Sequence, residues 1–396
     1  MAFEGDFTVK VPKSKKILIS GGLAVGGPQT HVTILCEILK SKGADVTIAA
    51  AATNWDALSL NTLRAKGVRI IVPPFGFGRL SFLGKAVSIW GWPLLMNRSF
   101  DVVYCIGEGR MHLVAKRYCA LGGHCIYHEI VDCPVRESLG HRVAASMTEI
   151  IGNSNEVTRK LKTLLPDIPV KTIPFLTSRE ASDTEVSRVR KSPTRDLNVA
   201  FLGRLVDHKR PAQLIDLWSE RTNCSVLRLS KLHFYGGDCG SGYKDVLVQK
   251  VKHRGLIDRV SFHGEYNHAQ LSEVLEHVDL VVLPSLFEGL PLVLVEAMAR
   301  GIPVVATSAG GTAELGLDNE DVIITEGTDW SAFEVGLLKM ISMIRCEKID
   351  CNRLRKWTED RYGFSTVSKQ WESALLNTST SFGSGQSFAE GQSYST

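Results

Sequence analysis

SLFEGLPLVLVEAMARGIPVV, residues 285–305, places two acids, Glu288 and Glu296, eight positions apart in a run dominated by Leu, Val, Ala, Met, Gly and Pro. A carboxylate is costly to bury without a partner, so both acids call for one. The flanking pattern fixes the local fold. VDLVVLPS (278–285) reads as a strand, FEGL as a turn, and PLVLVEAMAR as a helix with Pro291 in its first turn and Gly301 just past its end. Apolar side chains on nearly every face make that helix a buried one. Glu288 then lies on the entry loop at the carboxyl end of a strand, and Glu296 about one and a half turns into the helix.

The rest of the chain repeats this strand–loop–helix unit. KKILIS (15–20), ADVTIAA (44–50), VRIIV (68–72), DVVYCI (101–106), HCIYHE (124–129) and TEIIG (148–152) are near-continuous apolar runs, as in parallel strands covered on both faces. THVTILCEILKSKG (30–43) between them has the helical period and stops at Gly43. TSREASDTEVSRVRKSPTRD (177–196) is polar, lacks a period and reads as a linker. Alternation resumes with LNVAFLG (197–203), KLHFYGG (231–237), DRVSFHG (258–264), VDLVVLPS, IPVVATS (302–308) and DVIIT (321–325). The expected class is α/β, with two Rossmann-like doubly wound domains, residues 1–176 and 197–360. A last helical pattern lies within 361–377, and the Ser/Gly-rich tail 378–396 is expected to be disordered.

A chain of 396 residues has material for two cores, and 44% apolar with 22% charged residues is globular composition. The net charge of +4 is spread along the chain. It suits an anionic small substrate or an acidic membrane surface without demanding nucleic acid. Nine scattered cysteines with no CxxC spacing suit reduced thiols in the cytosol, and offer neither a disulfide framework nor a zinc site. MAFEGDFTVKVPKSKK has no apolar core for a signal peptide, and no apolar run is long enough for a spanning helix. A cytoplasmic protein is expected.

In doubly wound sheets, ligands bind beyond the carboxyl ends of the strands, so the loops there hold the candidate residues. The free amides of Gly289, Leu290 and the first helical residues form an anion site. A phosphate there leaves Glu296 near ribose hydroxyls and Glu288 near those of a sugar; the plainer alternative is an acid at a helix N-terminus and a partly exposed helix residue. FLGRLVDHKRPAQLI (201–215) sets Arg204 and Lys209 directly after a strand, a planar fork and a point charge suited to a diphosphate. SGGLAVGGPQTHV (20–32) fails the GxGxxG spacing, yet Gly26 and Gly27 permit close approach of backbone to a ligand. His128 ends a strand and could hydrogen-bond a sugar or phosphate or shuttle a proton, while Glu108 and Arg110 occupy the equivalent place after DVVYCI and could touch an acceptor. No GxSxG, Walker A, HExxH or Asp-x-Asp pattern occurs, so no metal ligands are expected and charge stabilisation falls to cations and amides.

These loops together resemble the retaining glycosyltransferases of family 4. EGLPLVLVEAM is similar to the family's Glu-x7-Glu motif, AFLGRLVDHKRP to its Gly-Arg-Leu…Lys element, and GLAVGGPQTHV to its N-terminal Gly-Gly loop. LHFYGGDCGSGYKDVLVQKVKHRGLIDRVSFHGEY resembles the region leading to the nucleobase pocket, and VVATSAGGTAEL, with Glu314, the segment after the motif helix. The resemblance implies the GT-B fold, a central cleft between an acceptor-binding and a nucleotide-sugar-binding domain, and a final helix around Trp371 that returns to the first domain. It further implies that Glu288 holds the donor sugar and Glu296 the ribose. Gly236 and Val260 would line the donor site, and Gly26 or Gly27 would approach the diphosphate beside Arg204, Lys209, Gly289 and Leu290. His128 would lie near the transferred sugar. The chain departs at Pro28–Gln29, where members often carry an acid, and at Arg210, where many carry Gly.

The activity so implied is retaining transfer of a sugar from a UDP- or GDP-type donor, with no resident cofactor, to a saccharide, lipid-linked or small-molecule hydroxyl. A non-catalytic sugar-nucleotide binder and a related epimerase or phosphorylase are the alternatives. FGFGRLSFLGKAVSIWGWPLLMNR (75–98) mixes Phe, Trp and Leu with cations, as a helix on an anionic membrane does, or one packed on a sheet.

Overall fold

Runs that are apolar on both faces must be covered on both faces, and the chain meets that demand with parallel strands and intervening helices. The computed structural model describes residues 14–21, 27–50, 57–71, 100–107, 123–130, 146–177, 196–220, 225–267 and 270–377. Gly26, Glu108, Arg110, the 75–98 segment, linker residues 178–195 and the 378–396 tail lie outside them.

The first sheet comprises β1 (Lys16–Gly21), β2 (Asp45–Ala50), β3 (Arg69–Ile71), β4 (Val102–Ile106), β5 (His124–Glu129), β6 (Glu149–Gly152) and β7 (Val170–Thr172). Its strands are parallel, in the order β3-β2-β1-β4-β5-β6-β7. The second sheet comprises β8 (Leu197–Leu202), β9 (Ser230–Tyr235), β10 (Val260–Gly264), β11 (Leu280–Leu283), β12 (Val304–Thr307) and β13 (Val322–Thr325). These too are parallel, ordered β10-β9-β8-β11-β12-β13. Strand order reverses between β1 and β4 in one sheet and between β8 and β11 in the other, and these are the switch points where a doubly wound sheet opens a crevice.

β7 is absent from the sequence expectation. Its segment, Val-Lys-Thr, has one apolar residue, too little for a period. It is held by β6 and by the Lys171 ammonium, 2.7 Å from the buried carboxylate of Glu149. A lysine on an edge strand also discourages pairing with another chain.

Each sheet has its own core. Phe201, Trp218, Phe234 and Phe333 centre the second. The first gathers Ile17, Leu35, Tyr104 and Ile126, and to these the Phe364–Leu376 helix adds Val367, Trp371 and Leu375. Trp371 Nε1 donates to Pro174 O at 2.8 Å, and Lys15 Nζ to Leu376 O at 2.8 Å. The C-terminal helix therefore packs on the first sheet. Leu292, from the opening stretch, also joins this first core, so the start of its helix reaches across to the other half of the molecule.

Candidate functional site

The loops after β8 and β11 leave the sheet side by side, at the switch point. Gly203 (φ 146°) and Gly236 (φ 140°) have backbones that L side chains rarely adopt, and a Cβ on Gly236 would overlap the Gly203 carbonyl. That contact lets Leu205 N reach Gly237 O at 2.8 Å. Lys209 ends the single 3₁₀ turn Asp207–Lys209, which Arg210 closes in the left-handed conformation (φ 55°, ψ 40°). Arg210 Nη1 donates to Thr328 O at 2.6 Å, and Pro211 opens the Pro211–Glu220 helix, where a missing N–H costs nothing. Leu286 N donates to His208 O at 2.7 Å and so joins the two loops.

This join brings Lys209 onto Glu288, 79 residues away in sequence. Lys209 Nζ donates to Glu288 Oε1, and both side chains are only 13% exposed. Ser285 Oγ donates to the same oxygen at 2.7 Å, while Thr307 Oγ1 pins Ser285 O at 2.5 Å. Arg204 is exposed beside them and has no hydrogen bond or ion pair among the described residues. Burial, followed by the Lys209 charge, holds the His208 imidazole below its ordinary pKa. His208 and Ser285 were not legible as site residues, because their role depends on the loop join.

The Leu292–Ala299 helix has Pro291 as its N-cap (ψ 105°) rather than inside the first turn, and no side chain caps it. Glu296 accordingly sits little more than one turn in, and at 3% exposure it is buried rather than partly exposed. It stands near Tyr266, whose phenol pKa is raised first by burial and then by the Glu296 charge. Leu290 is buried, and Gly289 has no room for a side chain: a Cβ would overlap Ile130 O and Asn153 Nδ2 of the first half.

Val260 is corrected by the register. It opens β10 at the amino end and is buried in the core, whereas ligands gather at the carboxyl end. The residues there are Gly264, Glu265 and Tyr266, next to Gly236 and Gly237. The period marked the strand, whereas Val260 was implied by the resemblance and not by its place on that strand.

On the first sheet, Gly27 begins the Gly27–Ser41 helix and lies against Leu292 and Phe175, where an added Cβ would stand 3.7 and 3.8 Å away. His128 does end β5, but its ring is enclosed, with Tyr104 Oη 2.6 Å from Nδ1 and the rings of His31, Phe175 and Trp371 around it. A further cross-contact lies toward β6 and β12. Glu314 accepts from Glu156 N and Asn155 Nδ2, each at 3.0 Å, and burial raises its carboxyl pKa. A cavity of about 460 Å³ opens there between Asn155, Arg159, Lys160, Gly310 and Glu314, away from the Lys209–Glu288 pair. Among the described residues no group of three or more His, Cys, Asp or Glu is placed to hold a metal ion, and no helix is long and apolar enough to cross a membrane.

Comparison with known proteins bears on the fold and on the second half of the chain. Residues 182–358 match the family model described as glycosyl transferases group 1. A stretch of 138 residues is 28% identical to the D-inositol 3-phosphate glycosyltransferase of Nocardia farcinica (strain IFM 10152), covering 34% of this chain and 31% of that protein. Anabaena HepE, solved in complex with UDP and glucose, superposes with a TM-score of 0.72 at 20% identity over 92% of this chain and 100% of its own. TarM of S. aureus, solved as a G117R mutant with Fondaparinux, alpha-GlcNAc-glycerol and UDP, gives 0.71 at 12% identity over 91% and 100%. The sucrose-phosphate synthase of Thermosynechococcus elongatus gives 0.70 at 15% identity over 92% and 98%. The chain thus has the GT-B fold, and residues 182–358 carry the sequence pattern of glycosyl transferases group 1.

Proposed function

We propose that the protein is a retaining glycosyltransferase that moves a hexose-type unit from a nucleoside-diphosphate sugar to an acceptor hydroxyl. The observation that carries this is the meeting of Lys209 and Glu288 at the β8/β11 switch point, below an uncapped helix N-terminus and beside the exposed Arg204. In this structure the ammonium and the carboxylate satisfy each other. A bound donor replaces each partner: the diphosphate takes Lys209, and a sugar hydroxyl takes Glu288. Arg204 and the amides of Gly289 and Leu290 complete the phosphate cradle, Glu296 receives the ribose hydroxyls, and the Gly203–Gly236 contact lets backbone line the donor.

The bond from the sugar's anomeric carbon to the phosphate oxygen breaks, and one to the acceptor oxygen forms on the same face. The acceptor's proton passes to the departing phosphate oxygen. Charge grows on that oxygen in the transition state, where fixed cations and amides act most strongly. The base is uracil in this proposal, the pyrimidine of the ligands in the HepE and TarM structures, with GDP the competing choice. Residues 197–360 bind the donor and 1–176 the acceptor, while from the first half Gly27 approaches the diphosphate and His128 lies near the transferred sugar. The acceptor is a saccharide, a lipid-linked saccharide or a small molecule reached in the cytoplasm, and the 75–98 segment would meet the membrane if the acceptor is lipid-linked.

The test is thermal shift with UDP, GDP, ADP and dTDP, followed by donor turnover over a panel of acceptors with the anomeric configuration of the product read by NMR. A shift with one base and an axial-to-axial product support the proposal. Binding with no turnover for any acceptor refutes transfer, and an inverted product refutes retention.

A further inference from the structure

Three buried polar side chains of the first domain form one directed chain of hydrogen bonds. Leu176 N–H donates to His31 Nδ1 at 3.2 Å. His31 Nδ1 is therefore an acceptor, and in a neutral ring the proton resides on Nε2. His31 Nε2 lies 3.1 Å from Tyr104 Oη, and Tyr104 Oη lies 2.6 Å from His128 Nδ1. With His31 Nε2–H donating to the phenol oxygen, the phenol O–H must donate onward to His128 Nδ1. His128 then carries its own proton on Nε2. All three side chains are fully buried, and Phe175 and Trp371 pack against both imidazoles. Burial lowers the pKa of His31 to about 3 and that of His128 well below 6.5, and raises that of Tyr104, so the chain is uncharged at neutral pH.

His128 Nε2 has no hydrogen-bond partner among the described residues, although it is buried. A buried donor left unmade costs about 1–3 kcal/mol, so such an atom needs a reason. Its surroundings supply one. Phe175, which packs on His128, also adjoins Gly27 at the head of the first helix, and Gly27 adjoins Leu292 at the start of the helix that follows Glu288. The chain of hydrogen bonds thus ends where the two halves of the molecule meet.

We infer that His31 and Tyr104 are positioning residues that lock His128 in its Nε2–H form and present that N–H to an acceptor oxygen of the bound donor sugar. The identity of that oxygen rests on the transfer reaction proposed above; the direction of the chain does not. A backbone amide sets the first member, and each later proton follows from it. A reversed His128, with Nδ1 protonated, would aim both imidazole N–H groups at the Tyr104 oxygen and leave its buried O–H with no acceptor among the described residues, or leave His31 facing the Leu176 amide with a proton of its own.

The test is long-range ¹H–¹⁵N correlation of the full chain labelled at histidine, with the His128 signals identified by their loss in His128→Gln. The expected wild-type spectrum has a pyrrole-type Nε2 and a pyridine-type Nδ1, and both shift in Tyr104→Phe, which keeps the buried ring. A protonated Nδ1, a doubly protonated ring, or a His128 spectrum unchanged in Tyr104→Phe overturns the relay. In the transfer reaction, Tyr104→Phe is expected to lower kcat about tenfold, the equivalent of one hydrogen bond, with the Kd for UDP unchanged. Full kcat in that variant, once its spectrum has moved, overturns the positioning role while leaving transferase activity intact. His31→Gln gives a second variant with the same expected spectrum and loss. An enzyme with no turnover on any donor would remove the sugar oxygen, and a wild-type Nε2–H spectrum would still establish the locked form.

Discussion

Replacing Lys209 with Met separates what the Lys209–Glu288 pair does for stability from what it does for turnover. The substitution keeps the apolar stem and removes the ammonium, leaving Glu288 with the Ser285 hydroxyl as its remaining hydrogen-bond donor among the described residues. Breaking a fully buried ion pair costs about 3–5 kcal/mol, and exposed pairs are worth about 0–1 kcal/mol. At 13% exposure for each side chain, with one hydrogen bond retained, the expected loss is between these, about 1–3 kcal/mol. For a domain of this size that lowers Tm by about 2–10 °C. Adding Glu288→Gln removes the stranded charge and should restore the larger part of that loss. Turnover should behave differently. If Lys209 stabilises the departing diphosphate, kcat falls about 10²–10³-fold in the single variant and stays low in the double. The assays are differential scanning calorimetry and donor turnover on all four members of the cycle. Wild-type Tm and kcat in Lys209→Met would refute the reasoning, as would recovery of kcat in the double variant.

Arg210 holds a left-handed backbone at φ 55° while its side chain bonds Thr328 O. Arg210→Ala loses the bond and keeps the strain, so it should lie about 1 kcal/mol below wild type in urea unfolding, with Arg210→Gly the more stable of the two variants. Gly236→Ala would drive a methyl into the Gly203 carbonyl and should cost about 1–3 kcal/mol, together with weaker UDP binding by calorimetry because both loops must shift. Burial raises the Glu314 pKa above 4.5, so the native state holds that proton more tightly than the unfolded chain. Its contribution is therefore greatest below that value and declines as pH rises through the window just above it; Glu314→Gln should flatten this part of the stability curve measured from about pH 4 to 7.

Much of the candidate site was legible because loops at strand ends advertise themselves by composition. Arg204, Lys209, Gly289 and Glu288 each follow an apolar strand, and the structure sets Lys209 and Glu288 in contact across adjacent loops. Val260 came from the resemblance and not from strand position: it opens its strand at the amino end, while the carboxyl-end rule points to Gly264 and the residues after it. Tyr266, at the true end, follows a strand whose outer residues are exposed and carry no apolar signal.

Periodicity and strand-end composition by themselves determined two series of strands and helices, with a cationic loop after one strand and an acidic loop after another, since local burial dictates these. Tertiary structure alone decided strand order, and with it the two switch points, because order depends on which strands pair across long sequence separations. It also decided the partners of the buried polar groups. Lys209 meets Glu288 only after β8 pairs with β11, and the proton on His128 is set by His31 and Leu176, residues that no sequence spacing links.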